Sequence, residues 1–212
     1  MSHIMSNKIS KLTILCLFLL SSCATTTMVD RKVKFNKNKV LSTISAVDST
    51  FNELESLLYV DIKSQNMYLL EKGLILMAFR VSSSYYGTGS EVNSLKTPLG
   101  KHEVYKKIGK DLPINAILKG RVWNGAIANV ITDDIDTDFD HVTSRILWLD
   151  GLEIGKNKGP GVDSRSRYIY IHGTAEEGLI GRPASDGCIR MYNTDVIDLF
   201  DLVNEKVQVW IY

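Results

Sequence analysis

The feature that most restricts what this chain can fold into is the rhythm of its apolar residues from Leu57 onward, which fall in short runs broken by turn signals. Residues 58–63, 66–71 and 74–81 form three such runs, separated at Ser64-Gln65 and Lys72-Gly73. Short apolar runs bounded by turn formers read as strands, and three in succession read as a β-meander. Thr97-Pro98-Leu99-Gly100 reads as a type I turn, with proline where φ is fixed and glycine at the fourth position. Further strands are expected at 102–106, 146–149, 168–172 and 207–212. One helix is expected after Asn193 or Thr194 as its cap, with Asp195 at its positive end and Val196, Leu199, Phe200 and Val203 on one face. A second is expected within 44–57. No alternation of strand and helix suggests a parallel sheet, so the fold class is mainly β, an antiparallel sandwich or meander with one or two flanking helices.

The N-terminus reads as an address. Lys8 and Lys11 precede the apolar stretch 12–20, followed by Ser21, Ser22 and Cys23, the order of a signal peptide and too short to span a bilayer. Leu20-Ser21-Ser22-Cys23 resembles a bacterial lipobox, which implies cleavage after residue 22 and a lipid on Cys23; the competing reading is an ordinary secretory signal. Thr25 resembles the residue of signals sorted to an outer membrane, so lipid on Cys23 would place the chain on the periplasmic side of a cell envelope, held by that membrane. Residues 23–56 are expected to be a polar tether, basic at Arg31, Lys32, Lys34, Lys37 and Lys39, with a short helix at its end. Residues 57–212 are then the folded body. Once residues 1–22 are removed, the body is close to electrically neutral, which gives no sign of nucleic-acid binding.

Cysteine usage narrows the chemistry. Cys16 and Cys23 belong to the N-terminal segment, so Cys188 is alone in the body and is either an inert buried side chain or a reactive thiol. Its setting is polar and glycine-flanked: Tyr168-Ile-Tyr170-Ile-His172-Gly173-Thr174 is followed by Ser185-Asp186-Gly187-Cys188-Ile189-Arg190-Met191. A strand that ends at His172 and a loop that returns can set the two side chains together. Thiolate is the attacking form, and an imidazole that takes the proton, or pairs with the thiolate, supplies it at neutral pH. Gly187 allows close backbone approach, and amides there can donate to an oxyanion. Arg190 falls on the same side as Cys188 in an extended segment, where its guanidinium can grip a substrate carboxylate.

Other motifs fail on detail. The acidic run Asp133-Asp134, Asp136, Asp138, Asp140 has Phe139 where a calcium loop needs glycine and Arg145 where it needs glutamate, and reads as a solvated loop near the substrate cleft. Gly87-Thr88-Gly89 lacks the third glycine of a dinucleotide fingerprint. One cysteine with the scattered His102, His141 and His172 makes no zinc site, so neither metal nor cofactor is expected.

At these residues the chain resembles the L,D-transpeptidase family with its YkuD-type catalytic domain, and the resemblance implies that residues 57–212 are that catalytic domain. His172-Gly173-Thr174, Ile180-Gly181-Arg182-Pro183, Ser185, Gly187-Cys188-Ile189-Arg190-Met191, Asn193 and the upstream Thr97-Pro98-Leu99-Gly100 carry the resemblance. It implies that Cys188 attacks the diaminopimelate carbonyl of a peptidoglycan tetrapeptide stem, expelling D-alanine and leaving a thioester. His172 is the implied base, and Gly173 orients its imidazole through the carbonyl oxygen. Gly187 and Cys188 would donate to the oxyanion, and Ser185, Arg190, Tyr170 and Asn193 would shape the oxyanion and substrate side. The acceptor is an amine of a second stem or of a wall-bound lipoprotein. Hydrolysis at the same site and non-catalytic peptidoglycan binding are the alternatives. Asp186 departs from the family, which has a second histidine there, and a carboxylate beside the thiol is expected to raise its pKa.

Overall fold

Strict alternation of side chains along the strands decides this architecture. The computed structural model describes residues 33–212, so the expected leader, Cys16 and Cys23 lie outside the described residues. Within them are the helices α1 (Lys37–Val47) and α2 (Asn193–Leu202) and the strands β1 (Ser56–Asp61), β2 (Asn66–Glu71), β3 (Leu74–Ser82), β4 (Gly100–Ile108) and β5 (Ala116–Lys119). The remaining strands are β6 (Val122–Ile127), β7 (Val142–Gly151), β8 (Tyr170–Thr174), β9 (Ile189–Met191) and β10 (Gln208–Ile211). The fold is mainly β and largely antiparallel, with two helices; β1–β10 and β8–β9 are parallel pairs.

The sheet runs β4-β10-β1-β2-β3-β9-β8-β7-β5-β6, and β4 also pairs with β7, so eight strands close on one another and the β5–β6 hairpin is left outside the ring. Closure leaves few unpaired edges, the usual weakness of a β fold. Leu58, Val60, Met67, Leu69, Val104, Leu147, Leu149, Ile171, Ile189, Val209 and Ile211 point into one core, which Val196, Leu199 and Phe200 of α2 complete. Their neighbours in sequence point the other way, as a period of two requires.

On the outer face of β1, β2 and β10, Leu57, Tyr59, Tyr68, Leu70 and Trp210 are covered by α1. This helix lies earlier than the expected 44–57 and takes up residues expected in the tether. Val40, Leu41, Ile44 and Val47 give it an apolar stripe with Ile44 wholly buried, and Asn36 caps it by accepting the Lys39 amide. Burying such a stripe, at ~1.5–3 kcal/mol for each fully buried large aliphatic side chain, outweighs the indifferent helix propensity of its Ser and Thr residues.

Two local expectations are corrected. Thr97-Pro98-Leu99-Gly100 is not a turn: Thr97 bridges Thr88, and Gly100 opens β4 with φ +104, where a Cβ would strike the Glu153 carboxylate and Asn157. Asn193 does not cap α2 either. It is the first helical residue, Tyr192 being the cap, and its side chain turns back into the sheet.

Candidate active site

The outer face of β8 and β9 brings the candidate residues together. Ile171 pairs with Ile189 and both enter the core, so Tyr170, His172, Cys188 and Arg190 are on the opposite face. His172 pairs with Arg190, which leaves Cys188 level with Tyr170 and one diagonal step from His172. Thiol and imidazole therefore share a face on neighbouring strands.

The sulfur sits over the backbone of 168–170. It accepts the Tyr170 amide at 3.4 Å and lies 3.5 Å from the Tyr168 carbonyl. Beside it is a small apolar cluster of Leu118, Ile146 and Tyr170. Burial pushes the thiol up to about 12, the Tyr170 amide opposing and the Asp140 carboxylate adding to the rise. The acid that matters is thus Asp140 and not the expected Asp186, which is exposed and is itself raised by burial and by Asp140.

His172 is buried, and its Nδ1 is 2.7 Å from the Gly173 carbonyl. A carbonyl only accepts, so Nδ1 carries the hydrogen and Nε2 keeps its lone pair. Burial lowers the ring's pKa, opposed by Asp140 and the Gly173 carbonyl. Both shifts run the same way, toward a neutral thiol and a neutral imidazole at rest. The arrangement suits general-base removal of the proton during attack, not a preformed thiolate.

Glycine is required after His172. A Cβ at Gly173 would lie 2.6 Å from Asn193 Oδ1 and 2.8 Å from the Thr143 carbonyl. Opposite it, β7 bulges between Thr143 and Ile146, with Ser144 at φ +60. Asn193 fills the gap: Oδ1 accepts both the Thr143 and Ser144 hydroxyls at 2.6 Å, and Nδ2 donates to the Thr174 carbonyl at 2.7 Å and to Glu177 at 2.9 Å. Its amide is fully spent inside the protein, so the expected substrate contact is corrected to a brace behind His172-Gly173.

The turn before the thiol is equally determined. Gly187 has φ +117, and its carbonyl accepts the Thr97 hydroxyl at 3.1 Å. Ser185 is buried; its hydroxyl donates to the Cys188 carbonyl at 2.6 Å and accepts the Gly187 amide at 3.2 Å. The Gly187 amide is therefore engaged within the turn, whereas the Cys188 amide has no acceptor among the described residues' hydrogen bonds. Of the two expected oxyanion donors, the Cys188 amide is the free one.

Arg190 differs most from expectation. It is on the expected side, but it is buried, with Nη1 2.9 Å from Glu176 and Nη2 2.8 Å from Asp140. Two carboxylates of the chain hold the guanidinium that was expected to grip one of the substrate. Glu176 also accepts the Thr137 amide at 2.7 Å, so this pair fastens the acidic loop to β9. Asp136, Asp138, Asp140, Asp186, Arg190, Tyr85 and Tyr86 line a cleft of about 470 Å³, and a smaller one of about 210 Å³ lies on the other side of Asp186, against Arg167 and Tyr168. His102 is a core residue tied to the Gly100 carbonyl and the Ser164 hydroxyl, and His141 stacks on Phe139.

Sequence reasoning missed the β5–β6 hairpin over the thiol. Gly120 and Arg121 form its turn, both with positive φ, and Arg121 lies 4.7 Å from the Trp148 ring, 5.0 Å from the Tyr168 ring and 3.2 Å from the Tyr170 hydroxyl. A glycine-containing pair between Ile117-Leu118 and Val122-Trp123 is a hairpin signal, and was the clue available.

With this geometry in hand, comparison with known proteins gives a family. Residues 55–211 match the model of the YkuD L,D-transpeptidase catalytic domain. A curated Bacillus subtilis (strain 168) relative, described as L,D-transpeptidase YkuD, is 35% identical over 65 residues, covering 27% of this chain and 40% of the relative. An L,D-transpeptidase from Mycobacterium smegmatis aligns in structure with TM-score 0.48 and 14% identity over 74% of this chain and 58% of that one. L,D-transpeptidase 3 from Mycobacterium tuberculosis, in complex with a faropenem-derived adduct, gives 0.46 and 14% over 74% and 60%. The chain thus spans less than two thirds of each of these relatives.

Proposed function

Because residues 55–211 match that model, the chain belongs to the YkuD L,D-transpeptidase catalytic-domain family, and from this premise we propose that it is a cysteine-dependent peptidoglycan L,D-transpeptidase. Cys188 attacks the carbonyl of the third residue of a tetrapeptide stem while His172 Nε2 takes the thiol proton. The oxyanion of the tetrahedral intermediate is met by the Cys188 amide. Collapse breaks the peptide bond, the leaving D-alanine nitrogen takes the proton back from His172, and a thioester remains on Cys188. An amine then attacks the thioester with His172 again as base, forming the new amide and restoring the thiol.

The observation that carries this reading is the shared outer face of Cys188 and His172, with Nδ1 committed to Gly173 and Nε2 left as the base. Gly187 and Ser185 shape the turn that presents Cys188, and Asn193 holds Gly173. Lipid on Cys23 would tether the enzyme to an envelope membrane, and with α1 docked on the sheet the tether is the stretch before Lys37.

Incubation with a disaccharide-tetrapeptide and mass analysis of the products tests this. A crosslinked dimer lacking one D-alanine is the expected product. Tripeptide alone means the acceptor is water, and unchanged substrate overturns the enzymatic reading. Cys188→Ala must abolish either reaction.

A further inference from the structure

A stem peptide is rich in carboxylates, and the geometry points to Arg121 as the residue that binds one of them. This rests on the functional reading above and adds a substrate-binding residue to it. The first observation is one of elimination. Arg190 is held by Glu176 and Asp140, and its remaining Nε is sealed from solvent. Arg167 donates to the carbonyls of Gly89 and Lys96 and to the Ser94 hydroxyl. Both are spent on the fold.

Arg121 is not. It is half-exposed, and its contacts are a phenol and two ring faces: the Tyr170 hydroxyl, Trp148 and Tyr168. No carboxylate of the described residues forms an ion pair with it, so a full positive charge is presented with its capacity for a two-pronged contact largely unused. The two rings orient the planar guanidinium without neutralising it.

Its position is the second observation. Arg121 touches the side chains of Tyr168 and Tyr170, the two residues whose backbone contacts the sulfur. Leu118, on the same hairpin, packs in the cluster beside Cys188. The charge therefore stands beside the two tyrosines whose backbone holds the thiol, where a peptide that offers its carbonyl to Cys188 brings its carboxylates. Arg121 binds the substrate and takes no part in proton transfer.

The test separates binding from turnover. In a Cys188→Ala background, which cannot react, calorimetry measures the dissociation constant of the tetrapeptide stem and of stems with the terminal or a side-chain carboxylate amidated. Arg121→Gln is expected to weaken the free-acid stem about 10- to 100-fold. One amidated stem should lose the same factor without any substitution in the protein, and Arg121→Gln should add nothing to that loss. Arg121→Lys, which keeps the charge but not the planar fork, should recover part of the affinity. Equal weakening of every stem by Arg121→Gln would make the contact merely structural and overturn the inference, as would unchanged affinity or failure of any stem to bind. Arg121-dependent binding without turnover by the intact enzyme would leave the inference standing and sink the transpeptidase reading; turnover with Arg121-independent binding would do the reverse.

Discussion

Glu176→Gln keeps the shape of a side chain that is almost wholly buried and removes its charge. In the native protein one carboxylate oxygen accepts Arg190 Nη1 at 2.9 Å, and the other accepts the Thr137 amide and hydroxyl at 2.7 and 2.6 Å. Removing one partner of a buried pair costs about 3–5 kcal/mol, because the remaining charge stays buried without compensation. Asp140 still faces Arg190 Nη2 at 2.8 Å and supplies part of that compensation. The net expectation is about 2–3 kcal/mol, which for a domain of this size lowers Tm by roughly 5–10 °C. Urea unfolding followed by circular dichroism at pH 7 measures it, with Asp140→Asn as the comparison. Asp140 is about one-third exposed, so its substitution should cost about 1 kcal/mol or less. A Glu176→Gln loss below about 1 kcal/mol, or a larger loss for Asp140→Asn, would refute the reasoning that Glu176 is the principal counter-charge for Arg190.

Two further outcomes are expected from the site itself. Gly173→Ala forces a methyl against Asn193 Oδ1 and the Thr143 carbonyl and should cost about 1–3 kcal/mol by overpacking, with a larger loss of kcat than of substrate affinity because the His172 orienter moves; a variant with wild-type melting and kcat contradicts the crowding. The pH profile of kcat/KM follows from both groups: the base is neutral His172, whose pKa is lowered, so activity falls only as pH drops through a value below 6.5, and with the thiol near 12 no rise appears between pH 7 and 10. An acid limb centred above 6.5 would contradict the lowered imidazole, and a rise through pH 8–9 would indicate a thiol that titrates in the ordinary range.

Much of the sheet was legible because its strands obey short-range rules. The run at 66–71 coincides with β2, and the runs at 74–81 and 146–149 lie inside β3 and β7. Cys188 and His172 were legible because their glycine-flanked setting is odd for buried side chains, and the parity of β9 correctly put Arg190 on the side of Cys188. What the parity did not reveal is what Arg190 meets, since Asp140 and Glu176 come from other segments and only the closed ring brings them there. The helix α1 was hidden by its own composition: the lysines and hydroxyl residues of 37–47 read as linker, and the stripe Val40, Leu41, Ile44 and Val47 gains its worth only against the outer face of β1, β2 and β10. Asn193 looked like a cap because asparagine usually is one, yet four hydrogen bonds to the β7 bulge, Thr174 and Glu177 outweigh a single capping bond. Asp186 looked threatening to the thiol by nearness in sequence, but Gly187 at φ +117 bends the chain between them, and the nearby charge that raises the thiol's pKa is Asp140.

The most direct measurement is the intact mass of the protein seconds after mixing with a tetrapeptide stem, followed by digestion to locate any adduct. The account predicts a tripeptidyl group on Cys188, released D-alanine in equal amount, and decay of the adduct when an amine acceptor is added. An unmodified Cys188 in a protein that nevertheless consumes the stem, or an adduct at any other residue, would contradict it.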